Sequence, residues 1–353
     1  MSEKLLPITE PPIRLFVNHA YILSVLLNYE KCLPWIYSNY IQIYFLKKSQ
    51  NFSINFFLGN ATKYFYNIPF LEVRTIDKKF FIDKLDDIIK YIIDNIDFGY
   101  YLNTIVDEYY IPNSRAYSKY HYMHLIMVYG YNSDRKHFNI FGFDNNHNFT
   151  KNHVDFLAFK KAFNSMKGNN KNVRDHYIMS YKVKDVNEIE YPQKNFNYFD
   201  YQLDLKLIKE SIREYLTSQN SSEKFSMFYT PMANDEFGFG IGVYDHLTKY
   251  FEKILNQDDC NNIDFRSIHG LLEHKQLMLS RVKYMQKNSY VDNCDMLIVM
   301  LRDIMNQAII LRNLVFKFNI TKDKRLIERG AYIADKIKKA EYDALSLMLT
   351  KIN

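Results

Sequence analysis

The spacing of apolar residues changes once along the chain, and that change limits the fold more than any other feature. The runs GYYLNTIVDEYYI (99–111), HLIMVYGYN (124–132), HFNIFGFD (137–144) and HYIMSYKV (176–183) are rich in β-branched and aromatic residues. Asn, Asp, Gly and Pro bound them, so they read as strands. NSDRK, between the second and third, is short enough to close a hairpin. Beyond residue 200 the segments Leu203–Thr217, Val243–Leu255, Phe265–Lys287, Asp295–Phe316 and Lys322–Leu349 carry helical spacing instead. The pattern predicts an α+β domain with an antiparallel sheet over residues 1–195, followed by an all-helical domain over 196–353. A length of 353 residues suits two domains.

Helices are also expected in the first half. In NHAYILSVLLNY, Ile22, Leu23, Leu26 and Leu27 share a face, and Asn18 stands where an N-cap belongs. LPWIYSNYIQIYF (33–45) places Pro34 in a first turn. Phe81, Leu85, Ile88, Ile89, Ile92 and Ile96 repeat at helical intervals, and another helix is expected near Val154 to Met166.

Composition narrows the function classes. With 47% hydrophobic and 24% charged residues the chain is a folding one. Its 30 Tyr and 27 Phe go with a Tyr, Asn, Ile and Lys bias that a low-GC genome explains, so the aromatics carry no functional weight. Three separated cysteines, Cys32, Cys260 and Cys294, fit a reducing cytoplasm better than a disulfide framework or a zinc knuckle. The N-terminus has no signal-peptide pattern, and no apolar run is long enough to span a membrane. The net charge of +6 gathers at Lys317, Lys322, Lys324, Arg325, Arg329, Lys336, Lys338 and Lys339, which reads as a solvated helix face or a dock for an acidic partner. No aromatic-basic motif or finger spacing points to nucleic acid.

The chemistry-bearing stretch is YHYMHLIMVYGYNSDRKHFNIFGFDNN (120–146). His124 opens one strand and Asp144 closes the next, so closing the hairpin brings them side by side. A carboxylate on one imidazole nitrogen fixes the tautomer and leaves the other nitrogen as a general base. His121 and His137 lie near enough to raise a metal cluster, which the lack of neighbouring cysteines argues against. GFGIG (238–242) lacks the G-x-G-x-x-G spacing and reads as a tight packed turn. His269 with Glu273, and His274 with Met278, read as faces of a packed helix, and Trp35 as a core residue. Asp107 and Glu108 read as solvated acids at a strand end, with amine binding as the functional alternative.

The order helix, strand-borne His, strand-borne Asp is also that of papain-like folds, where a thiol at a helix N-terminus precedes the other two. The chain resembles the family of butirosin biosynthesis protein H, whose N-terminal half is similar to the papain-like peptidases that trim double-glycine leader peptides. NHAYILSVLLNY, LPWIYSNYIQIY, VDEYYIPNSRAYSKYHYMHLIMVYGYN and IFGFDNN carry the likeness in the first half, and GIGVYDHLTKYF and IDFRSIHGLLEHKQLMLSRVKYM in the second.

That resemblance implies acyl transfer from a carrier-protein thioester to a small amine, with phosphopantetheine presented by the carrier and no cofactor of the chain's own. It also puts the family's cysteine position on Asn18, which is no thiolate. Three accounts stay open: an enzyme that works without the thiol, with Asn18 binding the oxyanion; an Asn introduced in place of a cysteine; or Cys32 as the thiol. A catalytically inactive scaffold that binds a carrier or a peptide is the alternative function, and a cysteine peptidase the third.

Overall fold

The computed structural model describes residues 2–57, 68–78, 80–81, 88–146, 148–165, 177–184, 201–225, 231–256 and 262–352. In chain order the elements begin with β1 (Glu3–Leu5), α1 (Val17–Leu26), α2 (Leu33–Ser38), β2 (Ile43–Leu46), β3 (Ile54–Phe56), β4 (Leu71–Asp77) and α3 (Ile88–Asp97). Next come β5 (Tyr101–Asp107), β6 (Met123–Asn132), β7 (His137–Phe143), β8 (Phe149–Asp155), α4 (Phe156–Asn164) and β9 (Tyr177–Val183). The last are α5 (Leu205–Leu216), β10 (Phe237–Phe239), α6 (Val243–Leu255), α7 (Phe265–Lys287), α8 (Asp295–Thr321) and α9 (Arg325–Lys351). The class is mixed α+β with antiparallel sheets.

Two compact units form, and they are not consecutive in sequence. The first comprises Met1–Pro11, Phe16–Glu30 and Phe65–Phe199; the second comprises Pro12–Leu15, Lys31–Tyr64 and Asp200–Asn353. The expected boundary at residue 195 lies outside the described residues.

In the first unit the strands follow the order β4-β9-β5-β6-β7-β8. β6 is long enough to pair with β5 over Met123–Val128 and with β1 over Gly130–Asn132, so β1 continues the edge where β5 stops. β7 lies along the other side of β6, with a register shift between Val128 and Gly130. Against this sheet pack two kinds of helix. α3 buries Ile88, Ile92 and Ile96, the stripe its i, i+4 spacing predicts, and each buried isoleucine contributes about 1.5–3 kcal/mol. α1 is buried on all sides from His19 to Leu26, as expected of a helix whose apolar residues encircle it.

The second unit is not all-helical. β10, β2 and β3 form a small antiparallel sheet in that order, and α8 packs between α7 and α9 with α6 against α9. One of its strands, β2, begins within the segment expected to be helical over 33–45. That helix ends at Ser38 because Asn39 is extended and Tyr40 takes a left-handed φ of 57°. Its orphaned carbonyls are taken by the fully buried Arg281, whose Nε donates to Tyr37 O (2.7 Å) and Nη2 to Asn39 O (2.5 Å). Ile43 and Phe45 then alternate inward as strand residues. Trp35 is buried edge-on to Tyr40, the core role expected of it.

GFGIG is the tight turn its glycines suggest. Gly240 has φ +55°, and a Cβ there would stand 2.2 Å from Tyr215 O. Gly240→Ala therefore adds left-handed strain to a backbone clash, and is expected to lower stability by about 2–4 kcal/mol. Urea unfolding measures it; a loss under 1 kcal/mol would show that the turn relaxes freely.

Inside the second unit lies a buried ionic cluster. Lys275 Nζ donates to Glu341 Oε1 (2.5 Å), to His274 Nδ1 (2.8 Å) and to Tyr215 Oη (3.2 Å). Glu341 Oε2 accepts from Tyr215 (3.0 Å) and Tyr244 (2.9 Å), and His274 Nε2 donates to Ile41 O (2.7 Å). Burial, then the Lys275 charge, push His274 well below its ordinary value, so it serves as a neutral acceptor.

Candidate functional site

β5 and β6 supply the site. Their register sets Val106 against His124 and Asp107 against Met123. Side chains opposite one another share a sheet face and alternate along each strand. Glu108 opens the one-turn 3-10 helix after β5 (Glu108–Tyr110), and its N–H donates to Tyr122 O (2.9 Å), continuing the ladder one residue further. Glu108 therefore falls on the face of His124, and His121 on that of Asp107. Two carboxylate–imidazole pairs result.

His124 Nδ1 lies 2.6 Å from Glu108 Oε1. The Glu108 side chain is 6% exposed and that of His124 25%. A carboxylate only accepts, so in the neutral imidazole the proton belongs on Nδ1, facing Glu108, and the lone pair on Nε2. The pair lines a cleft enclosing about 360 Å3 when its open mouth is included, walled on the apolar side by Ile126, Ile140 and Phe141. Ser114 and Asn152 also line it, but donate to the carbonyls of Glu108 (2.9 Å) and Pro112 (2.7 Å).

Asp144 is not the partner of His124, although the hairpin does form. The β6–β7 register pairs Met127 with Phe141, which carried three residues further sets 124 against 144, and Asp144 lines the cleft. Its carboxylate is taken elsewhere. Oδ1 accepts from the backbone N–H of Asn146 (2.9 Å) and Asn148 (2.7 Å), and its own N–H donates to Asn148 O (2.8 Å). Asp144 thus builds the Asx-type turn into β8, and among the described residues no hydrogen bond joins it to His124.

Asn18 is not an N-cap. Phe16 O accepts from His19 and Ala20 N–H, so Phe16 caps α1 and Asn18 is its second residue. Asn18 is half-buried and is not among the residues lining the cleft. α1 is represented beside the site by Tyr21, which no sequence motif marks. Tyr21 donates to Leu125 O (2.8 Å), and a Cβ on Gly142 would stand 3.3 Å from its hydroxyl. Burial first, and the Glu108 charge second, hold Tyr21 well above its ordinary value, so it remains a phenol.

Cys32 belongs to the second unit, at the end of a one-turn 3-10 helix, Glu30–Cys32. It is fully buried, and burial pushes its thiol up to about 12, against a smaller opposing effect of Lys31. A thiol held protonated in an apolar setting is not a nucleophile at neutral pH. Cys260 lies outside the described residues, and Cys294 is buried.

Asp107, expected to be solvated, is fully buried. Its Oδ1 accepts from Tyr109 N–H and Tyr122 N–H (both 3.1 Å), and its Oδ2 from Ser165 Oγ (2.7 Å) and pairs with His121 Nδ1 (2.6 Å). It thereby ties together the backbone just beyond Glu108 and just before His124. Burial raises this carboxyl, but the bonds from Ser165, His121 and the two amides prevail and hold it below its ordinary value. A depressed carboxyl stabilises the fold above its unfolded value of about 3.9, and the stabilisation is lost as pH falls through the folded value. Asp107→Asn is expected to cost about 1–3 kcal/mol at pH 7, with the gap to the parent narrowing below pH 4 in urea titrations. A constant gap would show that no carboxylate charge is involved.

The basic cluster is less one-sided than its sequence suggests. Lys338 pairs with Asp245 (2.6 Å), Lys339 with Asp335 (2.7 Å) and Arg325 with Asp323 (2.9 Å). Lys322 donates to Asn262, and Lys324 to Leu255 O (3.0 Å). Lys160 and Lys161 are exposed on α4. Among the described residues no group of three or more His, Cys, Asp or Glu is placed to hold a metal, and no helix is long and apolar enough to cross a membrane. No family model matches the chain, and no curated protein matches it.

Proposed function

We propose that the chain is an acyltransferase of the butirosin protein H type, forming an amide from a carrier-bound thioester and a small amine, with its first unit the papain-like part. The observation that carries the chemistry is the 2.6 Å His124–Glu108 pair on the wall of a cleft. A thioester is already activated, so no enzyme thiol is required. The amine nitrogen attacks the carbonyl carbon, Nε2 of His124 accepts the ammonium proton, the C–S bond breaks, and the departing thiolate takes that proton from the imidazolium. Glu108 holds the ring and offsets its transient charge.

The test is incubation of the full chain with an acyl-loaded carrier protein and a panel of amines. Amine-dependent thiol release, with an amide found by mass spectrometry, supports the reading. Carrier binding without turnover, unchanged in Asn18→Cys, favours the scaffold instead. Recovery of activity in Asn18→Cys identifies a thiol enzyme silenced at residue 18.

A further inference from the structure

At the other end of the β7–β8 hairpin, away from the cleft, two imidazoles face one another. His137 is paired directly with Asp155, and Asn139 with His153. Alternation therefore puts His137, Asn139, His153 and Asp155 on one face of the sheet. The ring centroids of His137 and His153 are 5.3 Å apart, inclined at 47°. His153 is exposed and His137 half-buried.

We propose that His137 and His153 form a two-histidine binding site for a divalent late first-row metal ion of the zinc class, with water filling the remaining positions. The ring separation suits this where one nitrogen of each ring faces the ion. With a zinc–nitrogen bond of about 2.0–2.1 Å and about 1.1 Å from nitrogen to ring centre, the ion stands about 3.2 Å from each centroid. A 5.3 Å separation then subtends about 110° at the metal, the tetrahedral angle that zinc prefers.

A neutral imidazole is the ligating form, and the charged neighbours of the pair are Arg135, Glu3 and Asp155. Arg135 disfavours a cation here. Glu3 and Asp155 act against it, although Asp155 Oδ1 is also engaged as the cap of α4 through Ala158 N–H (2.8 Å). A bound ion would bridge β7 to β8, the hairpin whose far end walls the cleft through Ile140, Phe141 and Thr150.

The experiment uses the untagged full chain, stripped with chelator and titrated with Zn2+ alone in a non-coordinating buffer at pH 7.5. One ion per chain is expected, with affinity lowered at least tenfold in His137→Gln and in His153→Gln, and falling as pH drops from 7 to 5. Co2+ in the parent should show tetrahedral visible absorption that either variant loses. Both variants should keep the parent's circular dichroism, and the metal should raise the melting temperature of the parent alone. No Zn2+ uptake by the parent at millimolar metal, or equal affinity in His153→Gln, overturns the site.

Discussion

Replacing His124 by Ala should lower amide formation from an acyl thioester by about 10²–10⁴-fold, the usual contribution of a positioned general base, while the chain remains folded. The ring is one-quarter exposed, so its removal opens no closed cavity. What it does remove is the Nε2 lone pair and the partner of a largely buried carboxylate, and the stability cost should be about 1–3 kcal/mol. Exogenous imidazole separates the two roles. If His124 is the base, added imidazole restores part of the rate in His124→Ala without changing its unfolding midpoint. Glu108→Gln should lie between parent and His124→Ala, since the ring keeps its nitrogen but loses the charge that holds it. Asp144→Ala should spare the rate more than Glu108→Gln does, because Asp144 acts on its own turn through Asn146 and Asn148. Equal rates in parent and His124→Ala would remove the base from the account.

The largest stability effect is expected far from that chemistry, at Glu341. Truncation to Ala leaves the Lys275 ammonium 1% exposed without its counter-ion, and two fully buried phenols without an acceptor. Breaking a buried pair from one side typically costs about 3–5 kcal/mol, enough to take a large part of the stability of an ordinary domain. Burial lowers Lys275 against the raising effect of Glu341, so losing the carboxylate drives the ammonium further towards its neutral form. The double variant Lys275→Met with Glu341→Leu should recover much of the loss, because it removes both charges together. Urea unfolding of the two variants decides this. A loss below 1 kcal/mol in Glu341→Ala would mean that water reaches the cluster.

These results bear on what could be read from sequence. Strands β6, β7 and β9 were legible because β-branched and aromatic residues crowd between turn formers, and the β6–β7 hairpin followed from its short link. The stop of α2 at Ser38 was not legible, since it depends on Tyr40 turning left-handed and on Arg281 reaching back from a residue more than 240 positions away. Lys275 and Glu341 are 66 residues apart, and nothing local marks either as an ion of the core. In the site, His124 could be singled out, but its partner could not. β6 has a neighbour on each side, one ending at Asp144 and the other leading into Glu108. Turn length favours the hairpin neighbour, whereas the choice is made by the Asn146 and Asn148 amides that engage Asp144. The VDEYY run held the missing acid, and its burial depends on β5 lying inside the sheet.

The most direct test of the account is the position of one proton. Long-range proton–nitrogen NMR on chain labelled with 15N-histidine, with His124→Gln used to assign the resonance, reads the neutral tautomer without any substrate. The account predicts the proton on Nδ1, facing Glu108, and an unprotonated Nε2 open to the cleft. A proton on Nε2 would leave His124 with no lone pair to offer an attacking amine, and would contradict the general-base reading.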